Sequence, residues 1–455
     1  MNLSSMHQWP AELLDLAHLV QTAGGRALLV GGCVRDALLN LEVKDYDVEV
    51  YGLEADVLEH LLRTKYEVIT VGKSFGVFKL RGFAIDVSLP RRERKTAPGH
   101  KGFVVEGDPQ MGFPEAASRR DFTINAIMAD PLTGELIDPL KGCSDLEVGV
   151  LRHCSERFAE DPLRVLRAMQ FVSRFEYRVA PETIALCAQL TMDELPPERV
   201  LEEWKKLLLK GTKPSLGLTF LRDCGWVRYF PELAALIDCK QDPRWHPEGD
   251  VWAHTAHCLD AFARDRIGDE YEDLVVGFGV LCHDLGKPAT TVHEPDGRIR
   301  SPDHEAKGES PTRSFLARFT RQTELIEDIV ILVTHHMRPS QLYEARASDS
   351  AVRRLARSVG RIDRLVRVVS ADMKGRPPMG WDLIACTWLV ERASALQISA
   401  ASPKPLVQGR HLLALGQKPG PHFKPLLDAC FEAQLEGRFS DEAGGTAYLD
   451  TLLAK

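Results

Sequence analysis

Two sets of residues in this 455-residue chain have types and spacings that chemistry uses. The first lies near the N-terminus. Asp45 and Asp47 stand two apart in Asp45-Tyr46-Asp47-Val48-Glu49-Val50-Tyr51, which alternates with period two and reads as a strand, so both carboxylates face one side. Carboxylates held that close repel unless a cation lies between them, and a hard divalent ion, Mg2+ above all, meets that need. A metal held so binds a triphosphate and lowers the pKa of an attacking hydroxyl. Upstream, the Gly31-Gly32 turn lets backbone N–H groups approach phosphate, and Arg35 offers a bidentate, charge-assisted contact. Asp86, in Ala84-Ile85-Asp86-Val87-Ser88, is a third carboxylate on a later strand. A D-x-D pair by itself is most often a solvated strand end. The glycine turn and the arginine upstream of it favour the catalytic reading.

The second set lies in the C-terminal half: His246, His254, His283-Asp284, His304, His335-His336 and Asp372. A lone buried histidine is usually a satisfied core residue. Six imidazoles in one helical stretch, together with two aspartates, are better explained as ligands. Imidazole with carboxylate suits Mn, Fe, Co, Ni or Zn rather than Mg. Lys287, just after the His-Asp pair, is either a phosphate contact or a surface residue.

The elements that must position these residues are legible in outline. Ala27-Leu28-Leu29-Val30 is a short apolar strand ending in the glycines, followed by a helix over 34–41. A further helix is expected over 54–65, and strands over 76–80 and 83–89. The mixture predicts a small α/β or α+β head built on a sheet. Pro90 to Ser118 shows little periodicity, carries Arg91, Arg92, Arg94, Lys95 and Lys101, and reads as a mobile basic loop. From about Ser144 the spacing turns helical, with helices over 160–175 and 198–209. Gln241-Asp242-Pro243 reads as a polar break, and Ser402-Pro403-Lys404-Pro405 as a linker to a short helical tail. The regions expected are 1–143, 144–240, 241–398 and 399–455, in keeping with about three domains for this length plus the tail.

Composition excludes several classes. With 57 Lys+Arg against 65 Asp+Glu the net charge is −8, which rules out a uniformly basic nucleic-acid coat but not a local basic patch. At 44% hydrophobic and 27% charged residues, the chain has the makings of a packed core. No apolar run is long enough to span a bilayer, and Met1 to Pro10 lacks the pattern of a signal peptide. Ten scattered cysteines without a Cys-x-x-Cys pair point to reduced thiols and a cytoplasmic protein.

The run Leu29-Val30-Gly31-Gly32-Cys33-Val34-Arg35-Asp36 with Lys44-Asp45-Tyr46-Asp47 resembles the first motif of the class II template-independent nucleotidyltransferases. These are the tRNA CCA-adding enzymes and bacterial poly(A) polymerases, built on a DNA polymerase β-like palm. Arg119-Arg120-Asp121-Phe122-Thr123-Ile124-Asn125-Ala126 resembles their ribose-recognising motif. Glu160-Asp161-Pro162-Leu163-Arg164-Val165-Leu166-Arg167 resembles their base-selecting motif, with Gln170 where members often carry Arg. The resemblance implies Asp45, Asp47 and Asp86 as catalytic residues. It implies Gly31, Gly32, Arg35, Arg120, Asp121, Asn125, Asp161, Arg164 and Arg167 as nucleotide-binding. Asp161 and Arg164, three apart on a helix, would offer an acceptor beside a donor to a base edge; the plainer alternative is an i,i+3 ion pair.

The order of the second set is similar to the HD phosphohydrolase superfamily. That implies His254, His283, Asp284 and Asp372 at a metal, with His304 and His335 or His336 completing a second metal position. The expected fold is therefore a palm followed by an all-helical neck and an all-helical HD domain. Gly409-Arg410 through Gly416 and Pro419-Gly420-Pro421 resemble the tail of bacterial HD-containing tRNA nucleotidyltransferases. The implied activity is addition of C and A from CTP and ATP to tRNA 3′ ends, with Mg2+ in the head. A transition metal in the HD region would serve a phosphatase or 2′,3′-cyclic phosphodiesterase.

For tRNA binding, Arg353, Arg354, Arg357, Arg361 and Arg364 recur at helical spacing and read as a basic stripe, unless they are solvated helix faces. Lys205, Lys206, Lys210 and Lys213 are a second group. The rival activities are a poly(A) polymerase and a CC- or A-adding specialist. A different class is an HD phosphohydrolase with a non-catalytic RNA-binding head.

Overall fold

The computed structural model describes residues 8–71, 77–95, 103–193, 195–377 and 382–454. Gly76 and Lys101, named above, lie outside them, as do residues 1–7 of the stretch read for a leader. The chain divides into two compact units, residues 1–207 with 216–229 and residues 208–215 with 230–455.

In the first unit α1 (Ala11–Thr22) precedes β1 (Arg26–Val30), α2 (Gly32–Leu38), β2 (Tyr46–Tyr51), α3 (Ala55–Arg63), β3 (Val68–Val71), β4 (Val77–Leu80) and β5 (Ile85–Ser88). There follow β6 (Arg91–Lys95), β7 (Phe103–Gly107), α4 (Phe113–Ser118), β8 (Met128–Ala129), β9 (Leu136–Ile137) and α5 (Gly142–Val148). The mixed sheet has the order β3-β4-β5-β2-β1-β8-β9. The parallel pair β2–β5 is its turning point; the other neighbours run antiparallel. Leu28, Leu29, Val30, Val48, Val50 and Val87 are fully or almost fully buried, which is why these short apolar stretches hold as strands. The sheet is the expected α+β head.

Local limits differ from the sequence expectations for physical reasons. The strand after Asp45 begins at Tyr46, so Asp45 lies just ahead of it. The helix after the glycines starts at Gly32 and stops at Leu38, with Asn40 in the left-handed region at φ 55°. The segment 90–118 is not a formless loop: β6 and β7 form a hairpin and α4 follows. The five consecutive charged residues Arg91 to Lys95 hid the period-two signal of β6.

The rest of the unit is mostly helical: β10 (Val150–Leu151), α6 (Leu163–Phe175), β11 (Arg178–Val179), α7 (Pro181–Gln189), α8 (Pro197–Lys210) and α9 (Pro214–Asp223). Glu156–Glu160 forms a separate 3-10 turn, so the helix expected from residue 160 begins at Leu163 instead, after Pro162.

The second unit contains α10 (Pro231–Ala234), α11 (Val251–Arg264), α12 (Glu270–Cys282), α13 (Lys287–Thr290), β12 (Val292–His293), β13 (Ile299–Arg300), α14 (His304–Lys307) and α15 (Glu309–Ala317). It continues through α16 (Thr323–His335), α17 (Arg338–Glu344), α18 (Asp349–Val359), α19 (Ile362–Lys374) and α20 (Ile384–Ala395). α12 carries an unbroken buried run from Asp273 to Cys282, the mark of a central helix covered on all sides. Gln241 and Asp242, expected in a polar break, are buried: Gln241 accepts from Lys287 Nζ (2.7 Å) and Asp242 holds Arg244. The tail, α21 (Gly409–Ala414), α22 (Phe423–Leu435) and α23 (Glu442–Leu453), gathers Val407, Leu412, Cys430, Phe439 and Leu449 into its own small core. All ten cysteines are free thiols. Among the described residues no helix is long and apolar enough to cross a membrane.

Candidate active sites

In the head, strand register does the assembling. Asp47 pairs with Asp86 across β2 and β5, and with Val30, the last residue of β1, on its other side. Asp45 lies two residues upstream of Asp47. The three carboxylates therefore meet beside the glycine turn. Gly31 has φ 77°, a backbone that side-chain-bearing residues rarely adopt. A Cβ there would stand 3.3 Å from Arg120 Nη1 and 3.5 Å from Asp47 Oδ2, so glycine keeps this approach open.

Asp47 remains solvent-accessible at its residue surface, yet its carboxyl is held above the usual range. Desolvation is the main cause; the charges of Asp86 and Asp45 add to it and Arg120 opposes. An Asp47 carboxyl raised by burial and by two neighbouring carboxylates fits a cation site. Lys79, opposite Asp86 across β4 and β5, donates to Asp86 Oδ2 at 2.7 Å. No local pattern marks this lysine, because its partner comes from strand pairing.

The residues expected to bind nucleotide fall into two networks. Arg120 donates to Glu49 Oε1 (3.2 Å) beside the carboxylates. Asp121 is buried and accepts from Phe122 N (2.8 Å), Asn125 Nδ2 (3.0 Å) and Arg167 Nε (2.7 Å). Burial pushes the Asp121 carboxyl up, but the Arg167 charge and the Asn125 hydrogen bond outweigh it and hold the group below the usual range. Arg35 is 4% exposed and is committed elsewhere than to open solvent. It donates to Asn125 Oδ1 (2.6 Å) and Asp36 Oδ1 (2.8 Å) and lies over the rings of Phe171 and Phe175. The phosphate contact expected of Arg35 is thus replaced here by a brace from α2 to α6 and to the Asp121 network.

Asp161 and Arg164 do not form the pair expected of one helix face. Asp161 has extended backbone ahead of α6 and accepts from Leu163 N (3.1 Å). Its carboxylate takes Arg199 Nη2 at 2.7 Å, from α8. Arg164 donates to the carbonyls of Arg157 and Arg119, both at 2.8 Å. Arg199 carries no local signal that would have singled it out. Gln170 is buried in α6.

In the helical unit, α11, the end of α12, α14, the end of α16 and α19 converge. His254, His283, Asp284, His304, His336 and Asp372 are all buried. Each imidazole uses Nδ1 on a neighbouring acceptor: His254 on Glu248 Oε1 (2.8 Å), His283 on Val280 O (2.7 Å), His304 on Ser301 O (2.8 Å) and His336 on Val333 O (2.7 Å). Backbone carbonyls accept from Nδ1 of His283, His304 and His336, which turns their Nε2 atoms inward, whereas His254 meets a carboxylate at each ring nitrogen. These inward atoms meet other acceptors. His304 Nε2 and His336 Nε2 are 3.2 Å apart, and His254 Nε2 is 3.0 Å from Asp372 Oδ1. His283 Nε2 is 3.2 Å from Asp284 Oδ2, without hydrogen-bond alignment. Converging lone pairs and carboxylates fit cations.

The groups His254–Cys258–His283–Asp372 and Asp284–His304–His336 each bring their ligand atoms within 4.8 Å of one another. His335, the alternative to His336, instead turns to Ile331 O (2.9 Å) and stays outside. The helix geometry separates adjacent residues by about a third of a turn, so only one of the pair faces inward.

Electrostatics agree with this placement. Burial and then the neighbouring His283 and His304 push His336 down to about 3, keeping it neutral. Asp284 and Asp372 are held well below the usual range: burial opposes this, but His283 and Lys287 prevail for the first and Arg376 and His254 for the second. Lys287 is 8% exposed and lies 2.8 Å from Asp284 Oδ2, so it is part of the cluster and not a surface residue. Glu248, unmarked in the sequence reading, joins His246 Nδ1 (2.9 Å) to His254.

The arginine stripe dissolves into ion pairs. Arg357 and Arg354 face Glu432, Arg361 and Arg364 both donate to Glu272, and Arg353 donates to Leu435 O (3.4 Å). Lys205 and Lys206 are likewise paired, with Glu202 and Glu203. Lys210 and Lys213 are exposed.

Comparison with known proteins agrees with the arrangement. Residues 27–152 match the family described as "Poly A polymerase head domain", and residues 177–237 that described as "Probable RNA and SrmB- binding site of polymerase A". The multifunctional CCA protein of Laribacter hongkongensis is 38% identical over 362 residues, covering 77% of this chain and 85% of that protein. That of Xanthomonas campestris pv. campestris (strain B100) is also 38% identical, covering 76% and 85%. Among solved structures, the Bacillus stearothermophilus CCA-adding enzyme in complex with CTP aligns at a TM-score of 0.68 with 23% identity over 97% of each chain. The Thermotoga maritima CCA-adding enzyme complexed with tRNA aligns at 0.62 with 18% identity, over 100% of this chain and 99% of that one. These two likenesses establish the fold. By its identity to the curated relatives, this chain belongs to the family of the multifunctional CCA proteins.

Proposed function

We propose that the head adds C and A residues from CTP and ATP to the 3′ end of tRNA, and that the histidine cluster hydrolyses phosphoesters. The first part rests on the carboxylates Asp45, Asp47 and Asp86 meeting beside the Gly31 turn, together with the family. A divalent ion bound there, Mg2+ by the hardness of its ligands, supplies positive charge to the triphosphate and acidifies the attacking hydroxyl. Asp45, Asp47 and Asp86 hold the ion and orient the 3′ end of the RNA. Gly31 and Gly32 let the backbone approach the phosphates, and Arg120 lies next to that path. Asp121 and Asn125 hold the ribose, with Arg35 and Arg167 bracing them. Asp161 and Arg164 read the base, with Arg199 setting the direction of the Asp161 carboxylate.

The second activity rests on the inward Nε2 atoms of four histidines. His254, His283, Asp284 and Asp372 hold one transition-metal ion, and Asp284, His304 and His336 a second. A metal held by these residues would activate water for attack and polarise the phosphoester. The substrates fitting a tRNA-end enzyme are 3′-terminal phosphates and 2′,3′-cyclic phosphates. Such an enzyme works in the cytoplasm.

The family description of the head also covers poly(A) polymerases. Supplying ATP alone with an RNA that already ends in CCA separates the two. The account expects no extension; long A tails would make the chain a poly(A) polymerase.

A further inference from the structure

We propose that Cys258 is a direct metal ligand, so that one ion of the histidine cluster is bound by a thiolate. The inference deepens the reading of this cluster as a metal centre and rests on it. Cys258 lies one helical turn after His254 on α11, on the same face. Its Sγ stands 3.4 Å from His254 Nε2, the inward ring atom. Sγ, His254, His283 and Asp372 bring their ligand atoms within 4.8 Å of one another. Thiol and imidazole are both buried, Cys258 and His254 at 0% exposure.

A second feature of the same quartet points to a ligand. His283 is 1% exposed, and its Nε2 has no hydrogen-bond partner although its Nδ1 is bound. Facing that ring nitrogen are a thiol, the Asp372 carboxylate and another imidazole, with Asp284 Oδ2 at 3.2 Å, which together give a mixed nitrogen, oxygen and sulfur ligand set. The backbone is shaped around the sulfur. A Cβ on Gly375, just after α19, would fall 2.3 Å from Cys258 Sγ, so only glycine lets that turn close over it. The neighbouring Cys282, also buried, belongs to no such group among the described residues.

On binding, the S–H bond breaks, a sulfur–metal bond forms and the proton leaves to solvent; no oxidant or reductant takes part. The thiolate biases the position toward Zn2+ or Co2+ and against Mg2+ and Mn2+. It thereby distinguishes this position from the oxygen-and-nitrogen set of Asp284, His304 and His336.

The test is Co2+ loading of the metal-stripped full-length protein, followed by absorption spectroscopy. Visible d–d bands report a bound ion and a near-ultraviolet thiolate-to-cobalt band reports sulfur ligation. The wild type should show both. C258S, shown to be folded by circular dichroism, should lose the near-ultraviolet band and bind Co2+ at least about tenfold more weakly, while C282S keeps both bands. Visible bands without the near-ultraviolet band in the wild type would overturn the thiolate but leave the metal centre. Survival of the near-ultraviolet band in C258S, or its loss in C282S, would also overturn it. Absence of both bands in the wild type would overturn the metal centre itself.

Discussion

Asp47 and Asp86 face one another in register across the parallel pair β2–β5. Neither strand could form this site alone. The connection through α3, β3 and β4 brings the second carboxylate back to the first, with Lys79 held against it. The consequence is that Asp86 belongs to the same site as the D-x-D pair, far from it in sequence.

If so, Asp86→Ala should remove nucleotide addition nearly as thoroughly as Asp47→Ala. Loss of a carboxylate that holds the ion is worth several kcal/mol, about a 1000-fold fall in kcat/KM. Labelled CTP and a tRNA lacking its 3′ end provide the measurement. Phosphohydrolysis should persist in Asp47→Ala, and His283→Ala should show the reverse pattern. Loss of both activities in either variant would count against two sites.

Arg199 holds the Asp161 carboxylate at 2.7 Å. Arg199→Ala should free that acceptor and blur base choice, lowering kcat/KM for CTP and ATP by about 10- to 100-fold, the weight of a charged hydrogen bond. UTP should be used relatively better. Unchanged discrimination among the four triphosphates would remove Arg199 from base selection.

His335 and His336 are adjacent, yet only His336 enters the cluster. His336→Ala should lower the bound transition metal and the phosphohydrolase activity at least about tenfold. His335→Ala should change neither beyond about twofold, a ceiling well below the cost of disturbing a ligand shell. Elemental analysis of the two purified variants decides it.

Much of this was legible in the sequence. The glycine turn, the D-x-D pair and the histidine-aspartate run are local signals, although Asp45 lies just ahead of the strand expected to carry it and His335 stays outside the cluster. What was not legible comes from pairing at long range. Arg199 reaches Asp161 from another helix, Lys79 meets Asp86 across a strand pair, and Arg35 is enclosed by Phe171 and Phe175. Helical spacing joined the arginines from Arg353 to Arg364 into one stripe, but Gly360 ends the helix of the first three and Arg361 and Arg364 belong to the next. Nor could it show that acidic residues of other helices cover four of the five. Cys258 did leave a trace, at i+4 from His254, that a search of helix faces would have found.

The arginine pairs carry a pH prediction. Arg364 and Arg361 both donate to Glu272, and Arg364 also to Asp328. Hydrogen bonds from Arg364, with its charge and that of Arg361, outweigh partial burial and hold Glu272 below its ordinary 4.5. A carboxylate with a depressed folded pKa stabilises fully above the unfolded value and loses that contribution as pH falls through the folded one. Glu272→Gln should therefore cost about 2 kcal/mol near neutral pH. In urea unfolding the difference from wild type should shrink below the ordinary carboxylate pKa. A pH-independent cost would mean packing rather than charge.

The most direct measurement is the length and sequence of the product formed when the purified protein receives Mg2+, CTP and ATP with a tRNA that ends just before its CCA. The account predicts addition of C, C and A, followed by a stop; CTP alone should give only the two C residues. No addition, or continued growth with A, would contradict it.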